Sequence, residues 1–209
     1  MGLLRMIIEE ENKSEVWAII LAGGESKRMK APKLLLPFRG KSMIESVIEN
    51  VTSSKVDKTL VVLGSVSELI LEIITGLKVN HCYNYNYKEG MLSSVKCGFR
   101  NLPSDLQGVL VFQGDQPLIP PETTNKVIDE WRKSGKGIVI PVTSGKRGHP
   151  LLIDRKYRDE IEKLRDDEGL RSLAAIFNED VLEVEVNTPG ILRDIDTPED
   201  YINEINQNI

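Results

Sequence analysis

Short, largely apolar runs alternate along the chain with longer amphipathic stretches. Residues 16–21, 59–63 and 109–112 form runs of four to six residues, which is typical of strands buried on both faces of a parallel sheet. Between and after these runs, apolar residues recur at helical spacing and predict helices over residues 42–53, 67–75 and 121–133. The chain therefore begins as strands and helices in alternation.

Weaker patterns predict the remaining elements. Strands are expected at residues 77–81, 137–141 and 181–186, the last at a sheet edge, and a glycine-rich hairpin turn over 144–150 leads into another strand. Helices are expected over 155–164 and 169–177, and from the polar loop after residue 84 through Gly98. The alternation predicts an α/β fold, a single Rossmann-like domain of three layers with a mainly parallel central sheet.

The first strand ends in a glycine pair followed by a basic segment. Gly23 and Gly24 lack Cβ atoms, so the backbone can turn sharply and bring its N–H groups close to a ligand. Between Glu25 and Lys41 lie six cationic residues and one acidic residue, a balance of +5 in a chain of net charge -5. This segment predicts an anion-binding site at the carboxyl end of the strand, although a solvated turn fits the same residues.

Composition restricts the class of protein. At 209 residues the chain suits one domain over residues 16–209, preceded by a flexible extension at 1–15. The two cysteines, Cys82 and Cys97, do not form a metal-type motif and are interpreted as reduced thiols of a cytoplasmic protein. The acidic net charge argues against nucleic acid as a partner. The lack of a long apolar segment argues against a membrane as a partner.

Two acidic positions are candidate metal ligands. Asp115 follows the apolar run 109–112 within Gln-Gly-Asp-Gln-Pro, where a carboxylate can face a hard divalent cation or simply cap the turn. Asp194 and Asp196 alternate with Ile195, so both carboxylates are expected on one side of the chain. Thr197 has the position of a helix N-cap before Pro198, so the pattern itself gives Asp196 a place in a helix-capping turn.

The basic segment also matches a specific pattern. Its residues are Leu21, Ala22, Gly23, Gly24, Ser26, Arg28, Met29 and Lys33. This pattern resembles the signature of the MobA-like nucleotidyltransferases, which make the dinucleotide forms of the molybdenum cofactor. The segments 32–37, 84–94 and 148–150 are similar to the cytidylyltransferase branch of that family. One position departs from the family: Lys30 stands where a glycine is common.

The resemblance implies an activity and a set of site residues. It implies transfer of a nucleoside monophosphate from CTP or GTP to a molybdopterin-type acceptor, with Arg28, Lys33 and Asp115 as catalytic residues. The implied nucleotide-binding residues are Leu21, Ala22, Gly23, Gly24, Ser26, Arg28, Lys33, Asn84 and Ser94. The implied acceptor-binding residues are Lys146, Arg147 and His149, in a loop that as bare chemistry is also a solvated turn. Magnesium (Mg2+) is the implied cofactor, with Asp115 and Asp196 as its ligands.

Three questions stay open at the level of sequence. The loop sequence Leu-Ala-Gly-Gly resembles that of the guanylyltransferases, whereas the other segments resemble the cytidylyltransferases. CTP is therefore favoured as the nucleotide, and GTP stays an alternative. A sugar phosphate or another small phosphorylated acceptor fits the same loop residues. The third question is whether the chain is an enzyme at all. Because Lys30 replaces the usual glycine, a non-catalytic accessory protein that binds the cofactor for a molybdenum hydroxylase is an alternative hypothesis.

Overall fold

The computed structural model of the chain describes residues 15–29, 31–165 and 167–206. The predicted extension, apart from Glu15, and the atypical Lys30 lie outside these residues. The strands are β1 Val16–Ala22, β2 Pro37–Phe38, β3 Lys41–Ser42, β4 Lys58–Leu63, β5 Asn80–Tyr83, β6 Gly108–Gln113, β7 Ile138–Thr143, β8 Lys146–Arg147, β9 Leu151–Asp154 and β10 Val181–Glu185. The α-helices are α1 Met43–Thr52, α2 Ser67–Ile74, α3 Met91–Arg100, α4 Pro121–Ser134, α5 Arg158–Lys163, α6 Leu170–Ile176 and α7 Pro198–Asn206.

The main sheet has the strand order β10-β7-β9-β6-β1-β4-β5. Strand β1 pairs in parallel with β4 on one side and with β6 on the other, while β4 pairs in parallel with β5 and β10 with β7. Strand β9 is antiparallel to both of its neighbours, β6 and β7, and the short β8 is antiparallel to β7. The sheet is therefore mainly parallel, as the sequence predicts.

Helices cover both faces of this sheet because β1 has apolar side chains on both of its faces. Ala18 and Ile20 belong to the core cluster that also contains residues of α1, α2 and α4. Trp17 and Ile19 belong to the opposite cluster, which contains residues of α3, α5 and α6. Successive side chains of a strand point to opposite faces, so this unbroken apolar run fills two cores at once. The predicted three-layer α/β domain is confirmed.

The topology places a crevice beside the end of β1. The chain leaves β1 for β4 on one side and later returns to β6 on the other side. The connections after β1 and β6 therefore run away from each other, and a crevice opens at the carboxyl ends of these two strands. Leu21 pairs with Gln113 in this register, so the glycine pair and Asp115 both follow at the same edge of the sheet.

Two predicted helix starts are confirmed by their capping contacts. Ser42 caps α1, with its Oγ accepting from Glu45 N at 3.4 Å while the Glu45 carboxylate accepts from Ser42 N at 2.8 Å. Thr197 and Asp200 make the same reciprocal pair before α7, at 3.1 Å and 2.9 Å. Each cap satisfies N–H groups that the first helical turn leaves without partners.

Several boundaries differ from the predictions. The strand expected at 77–81 is β5, Asn80–Tyr83, because residues 77–79 close the turn after α2. Leu69, expected on the buried face of α2, is 46% exposed because α2 is short and only one stripe of it meets the core. The helix expected over 155–164 begins with a 3-10 turn, Arg155–Tyr157, and residues 193–196 are irregular rather than a strand end.

Two other expectations, for strand β10 and for the two cysteines, agree with the structure. Strand β10 is an edge strand of the main sheet, as its alternating pattern predicts. Cys82 and Cys97 are free thiols, with their Sγ atoms 3.9 Å apart. None of the helices in the described part of the chain has the length and apolarity that crossing a bilayer requires.

The glycine pair makes a close backbone crossing with the end of β4. A Cβ atom on Gly64 would lie 2.7 Å from Gly23 Cα and 2.8 Å from Tyr87 Cβ. Ser65 N also donates to Gly23 O at 3.2 Å. The two segments approach so closely only because Gly23 and Gly64 both lack side chains.

We predict that Gly64→Ala destabilises the protein by about 1–3 kcal/mol, because the new methyl group meets rigid backbone rather than a flexible side chain. Gly24→Ala is the matched control, since nothing lies within 4 Å of its added Cβ. Urea unfolding of the two variants and the wild type measures the difference. Equal midpoints for Gly64→Ala and Gly24→Ala would contradict the close crossing.

Candidate active site

Three charged side chains from distant parts of the chain meet at the crevice. The Lys33 ammonium donates to Asp115 Oδ2 and, at 2.6 Å, to Asp196 Oδ1. Lys33 follows β1, Asp115 follows β6, and Asp196 precedes α7. The side chains of Lys33 and Asp115 are each only 12% exposed, so this ion pair is largely withdrawn from water.

One carboxylate oxygen of the cluster takes no part in the ion pair with Lys33. Asp115 Oδ1 is buried and has no hydrogen-bond partner among the described residues, as is also true of Gln116 Oε1. A buried carboxylate oxygen without a donor is unusual, because desolvation of such an atom is costly. No group of three or more His, Cys, Asp or Glu side chains in the described ranges is arranged to hold a metal by itself. Any cation here would therefore need further ligands from a substrate or from water.

Arg28 stands at the outer edge of the same cluster. Its Nη2 donates to Asp196 Oδ2 at 2.6 Å, and its side chain is 69% exposed against 12% for Lys33. An exposed pair of this kind contributes little to stability, roughly 0–1 kcal/mol. The Arg28 guanidinium can therefore turn to an incoming anion at small cost, whereas Lys33 is fixed in place.

The charges of the cluster set its protonation. Burial disfavours the charged form of Lys33, but the carboxylates of Asp115 and Asp196 outweigh burial and raise its pKa. Burial and the neighbouring carboxylate of Asp115 raise the pKa of Asp194, which accepts a hydrogen bond from Gln116 Nε2. Lys33 is consequently a permanent cation at neutral pH.

The loop after β1 leaves its backbone open to the crevice. A Cβ atom on Gly24 would have nothing within 4 Å. Ser26 has a φ of 53°, and its Oγ accepts from Lys33 N at 3.2 Å, so the serine closes the loop that delivers Lys33. Ser26 thus supports the position of Lys33 as well as lying in the predicted nucleotide-binding segment.

The predicted pair Asn84 and Ser94 forms the opposite wall. Asn84 Nδ2 donates to Ser93 Oγ at 2.9 Å and to Ser94 Oγ at 3.0 Å, and Asn84 is buried. Ser94 Oγ in turn lies 3.1 Å from the Cβ position of Gly23. Asn84 is therefore an anchor within the wall, while Ser94 contacts the glycine bend directly. Neither serine is the N-cap of α3, which begins after Gly90.

Two adjoining cavities lie near the carboxyl ends of β1 and β6, and the smaller one borders the cluster. The smaller, about 260 Å³, is lined by Leu21, Gly23, Gly24, Lys33, Leu34, Tyr87, Gly90, Met91, Ser94, Gln113 and Asp115. The larger, about 460 Å³, is lined by Leu21, Met91, Leu92, Val111, Ile140, Arg147, Gly148, His149, Leu151, Asp167, Glu168, Gly169, Leu170, Arg171 and Ala174. Leu21 and Met91 line both cavities, so these two side chains form their common wall. The charged cluster lies beside the smaller cavity.

The predicted acceptor residues divide between cavity and surface. His149 and Arg147 line the larger cavity, and Arg147 Nε also pairs with Glu183 at 2.7 Å. Lys146 is exposed on β8 and lines neither cavity. Sequence reasoning missed Gln113 and the segment 167–171 as lining residues. The position of Gln113, two residues before Asp115 at the end of a strand, was the available signal, whereas segment 167–171 gave none.

The His149 ring is neutral over most of the physiological range. Burial lowers the pKa of His149 to about 4. A neutral imidazole has one N–H donor and one acceptor nitrogen, so His149 can offer either to a ligand in the larger cavity.

We predict that His149 makes stability fall as the pH drops from about 6.5 to about 4. In that window the unfolded chain binds a proton at His149 and the folded protein does not, so the free energy of unfolding declines by up to about 3 kcal/mol. His149→Phe should flatten this part of the profile in urea unfolding measured from pH 7 to pH 4. Parallel profiles for the variant and the wild type would disprove the buried neutral histidine.

Comparison with known proteins places this site in a family. The family model described as "MobA-like NTP transferase domain" matches residues 18–182. The chain is 35% identical over 130 residues to a probable molybdenum cofactor guanylyltransferase of Natranaerobius thermophilus, a match covering 62% of each chain. It is 26% identical over 189 residues to the molybdenum cofactor cytidylyltransferase of Escherichia coli K12, covering 90% of this chain and 95% of the relative.

A solved structure has the same fold. The crystal structure of Rv0371c from Mycobacterium tuberculosis aligns with a TM-score of 0.83 at 22% identity, over 92% of this chain and 98% of that protein. A second structure of Rv0371c, with a TM-score of 0.76, is described as a complex with manganese. The family match spans well over half of the chain, and on this basis the chain belongs to the MobA-like NTP transferase family.

Proposed function

We propose that this protein transfers a nucleoside monophosphate, with CMP favoured and GMP possible, from an NTP to the phosphate of molybdopterin or its molybdenum form. Pyrophosphate is the second product. The observation that carries the proposal is the Lys33 cluster with Asp115 and Asp196, which borders the smaller cavity beside the glycine bend, while the larger cavity adjoins the smaller one. Two phosphorylated substrates could occupy these cavities side by side.

The smaller cavity suits the nucleotide. Gly23 and Gly24 line this cavity and would present backbone to the phosphates, whereas Ala22 is fully buried. Lys33 and Arg28 supply positive charge next to the glycines. The NTP triphosphate would lie along this bend, with Ser94 and Asn84 supporting the wall behind it. As pyrophosphate leaves, charge grows on its oxygens, and these two cations would stabilise it.

The donor set fits a magnesium ion. Asp115 Oδ1 is buried and has no hydrogen-bond partner within the described ranges, and Asp196 supplies a second carboxylate to the same cluster. Magnesium is commonly held by one or two carboxylates together with substrate phosphates, which agrees with the lack of a complete protein cage among the residues that the structure describes. When bound, Mg2+ would neutralise phosphate charge during the transfer. Lys33 keeps the two carboxylates together and orients both of them toward the crevice.

The larger cavity suits a fused-ring acceptor. Its floor is apolar, formed by side chains such as Val111, Ile140 and Leu170, while His149 and Arg147 stand at its wall. A flat heterocycle such as a pterin can bury its faces there and hydrogen-bond its edge to polar groups. The charged residues Asp167, Glu168 and Arg171 also line this cavity and could bond the hydroxyl groups of a sugar phosphate, so that acceptor is the alternative.

The reaction itself needs little acid–base chemistry. A phosphate monoester is largely ionised near neutral pH, so its oxygen can attack the α-phosphorus without losing a proton. The new P–O bond forms as the bond to the β-phosphate oxygen breaks. Catalysis then rests on positioning and charge neutralisation. This agrees with a cluster built from a lysine and two carboxylates rather than from a nucleophile and a base.

We predict that Asp115→Asn and Lys33→Ala each lower the rate of pyrophosphate release by at least about a hundredfold, because the first weakens the carboxylate that would hold the metal and the second removes a cation at the phosphates. Asp105→Asn and Lys41→Ala are matched controls, since both residues are exposed and line neither cavity. Circular dichroism would check that each variant is folded. Wild-type turnover in both Asp115→Asn and Lys33→Ala would refute the proposal.

We predict that, among CTP, GTP, ATP and UTP, CTP with molybdopterin gives the fastest magnesium-dependent pyrophosphate release. Preference for GTP would assign the guanylyl-type reaction, and turnover with a sugar phosphate alone would reassign the acceptor. Tight cofactor binding without pyrophosphate release would make the chain an accessory protein. With molybdopterin as the acceptor, the product from CTP or GTP would serve a molybdenum enzyme. A molybdenum hydroxylase is the client that we propose for the cytosine form.

A further inference from the structure

Gln113 occupies a position that the proposed reaction does not yet explain. It is the last residue of β6, and it lines the smaller cavity together with Asp115. Its side chain reaches His149, which lines the larger cavity. The pair therefore crosses the boundary between the two cavities, where the acceptor phosphate must meet the nucleotide.

The contact between the two side chains has a specific geometry. Gln113 Nε2 lies 3.3 Å from His149 Nδ1 and 3.4 Å from His149 Nε2. A group almost equidistant from the two ring nitrogens cannot lie in the ring plane, because there it would clash with Cε1, so the amide lies over the face of the imidazole. The lone pair and the N–H of the ring lie in its plane, so this N–H···π type of contact is available in both tautomers and occupies neither nitrogen.

The backbone of His149 is held from the other side. His149 N donates to Ile191 O at 3.1 Å, and Gly148 N donates to Pro141 O at 2.9 Å. A Cβ atom on Gly148 would lie 2.3 Å from Ile191 O, so the loop is seated tightly against residues 189–192. The main chain is therefore fixed, and the imidazole orientation depends on what meets the ring.

We propose that Gln113 is a positioning residue that holds the His149 ring toward the acceptor at the boundary of the two cavities. This inference rests on the proposed function, because it assigns the larger cavity to the acceptor. Gln113 touches the ring on the nucleotide side, which leaves the remaining polar edge of His149 for the acceptor. Orientation by a neighbouring side chain restricts a ring that would otherwise sample several rotamers.

We predict that Gln113→Met raises the KM for the acceptor about five- to tenfold, and that the KM for the NTP changes much less although Gln113 also lines the smaller cavity. Methionine keeps the length of glutamine but has no amide donor, so the ring loses its restraint while the cavity stays filled. Gln107→Met, at the opposite end of β6 where the amide bonds Asp105 O at 3.2 Å, is the matched control and should retain wild-type constants.

A double-mutant cycle separates positioning from a general structural effect. In a His149→Phe background, Gln113→Met should add no further increase in the acceptor KM, because the ring that it positions is gone. Additive effects of the two substitutions would overturn the inference, as would equal changes in the KM values for acceptor and NTP.

A second readout does not depend on catalysis. The chain has two histidines, so the imidazole region of a ¹H–¹³C spectrum contains two sets of signals, and the exposed His81 on β5 serves as an internal reference. Gln113→Met should shift the His149 signals and leave those of His81 in place, and an unchanged His149 signal would overturn the inference. If the wild type shows no transfer to any acceptor, the proposed function fails, while a shifted His149 signal would still support the restraint by Gln113.

Discussion

The ammonium group of Lys33 is the interaction on which the site depends. It is bound by two carboxylates that lie 82 and 163 residues away along the chain. A buried ion pair of this kind adds little net stability, because desolvation of the charges offsets their attraction. Its effect is positional: it joins the β1 loop, the end of β6 and the segment before α7 at one point.

The sheet topology explains why these three segments can meet. β1 lies between β4 and β6, so the chain departs to opposite sides of β1 and leaves a crevice at its carboxyl end. The crossing of Gly23 with Gly64 brings the β1 loop down onto the end of β4. The lysine that follows this loop is then delivered to the end of β6. Backbone geometry and electrostatics therefore act on the same few residues.

The two cavities near this cluster differ in the character of their linings. One is bordered by the glycine bend and by the lysine, and the other has an apolar floor with a neutral histidine at its wall. Their common wall is formed by Leu21 and Met91. In the proposed transfer, the nucleotide would occupy the first cavity and the acceptor the second, on opposite sides of this wall. The Gln113–His149 contact is the polar link across that wall.

The sequence by itself determined the class of the fold and the residues of the charged cluster. Periodicity is a local property, so buried strands, capped helices and the glycine bend could be predicted from neighbouring residues, and Lys33, Asp115 and Asp196 followed from motifs. Only the tertiary structure decided that Lys33 lies between the two carboxylates, that Lys146 is exposed outside both cavities, and that Gln113 contacts His149. These relations join residues far apart in the chain, and they depend on how the strands are ordered and how closely the loops pack, which no local pattern specifies.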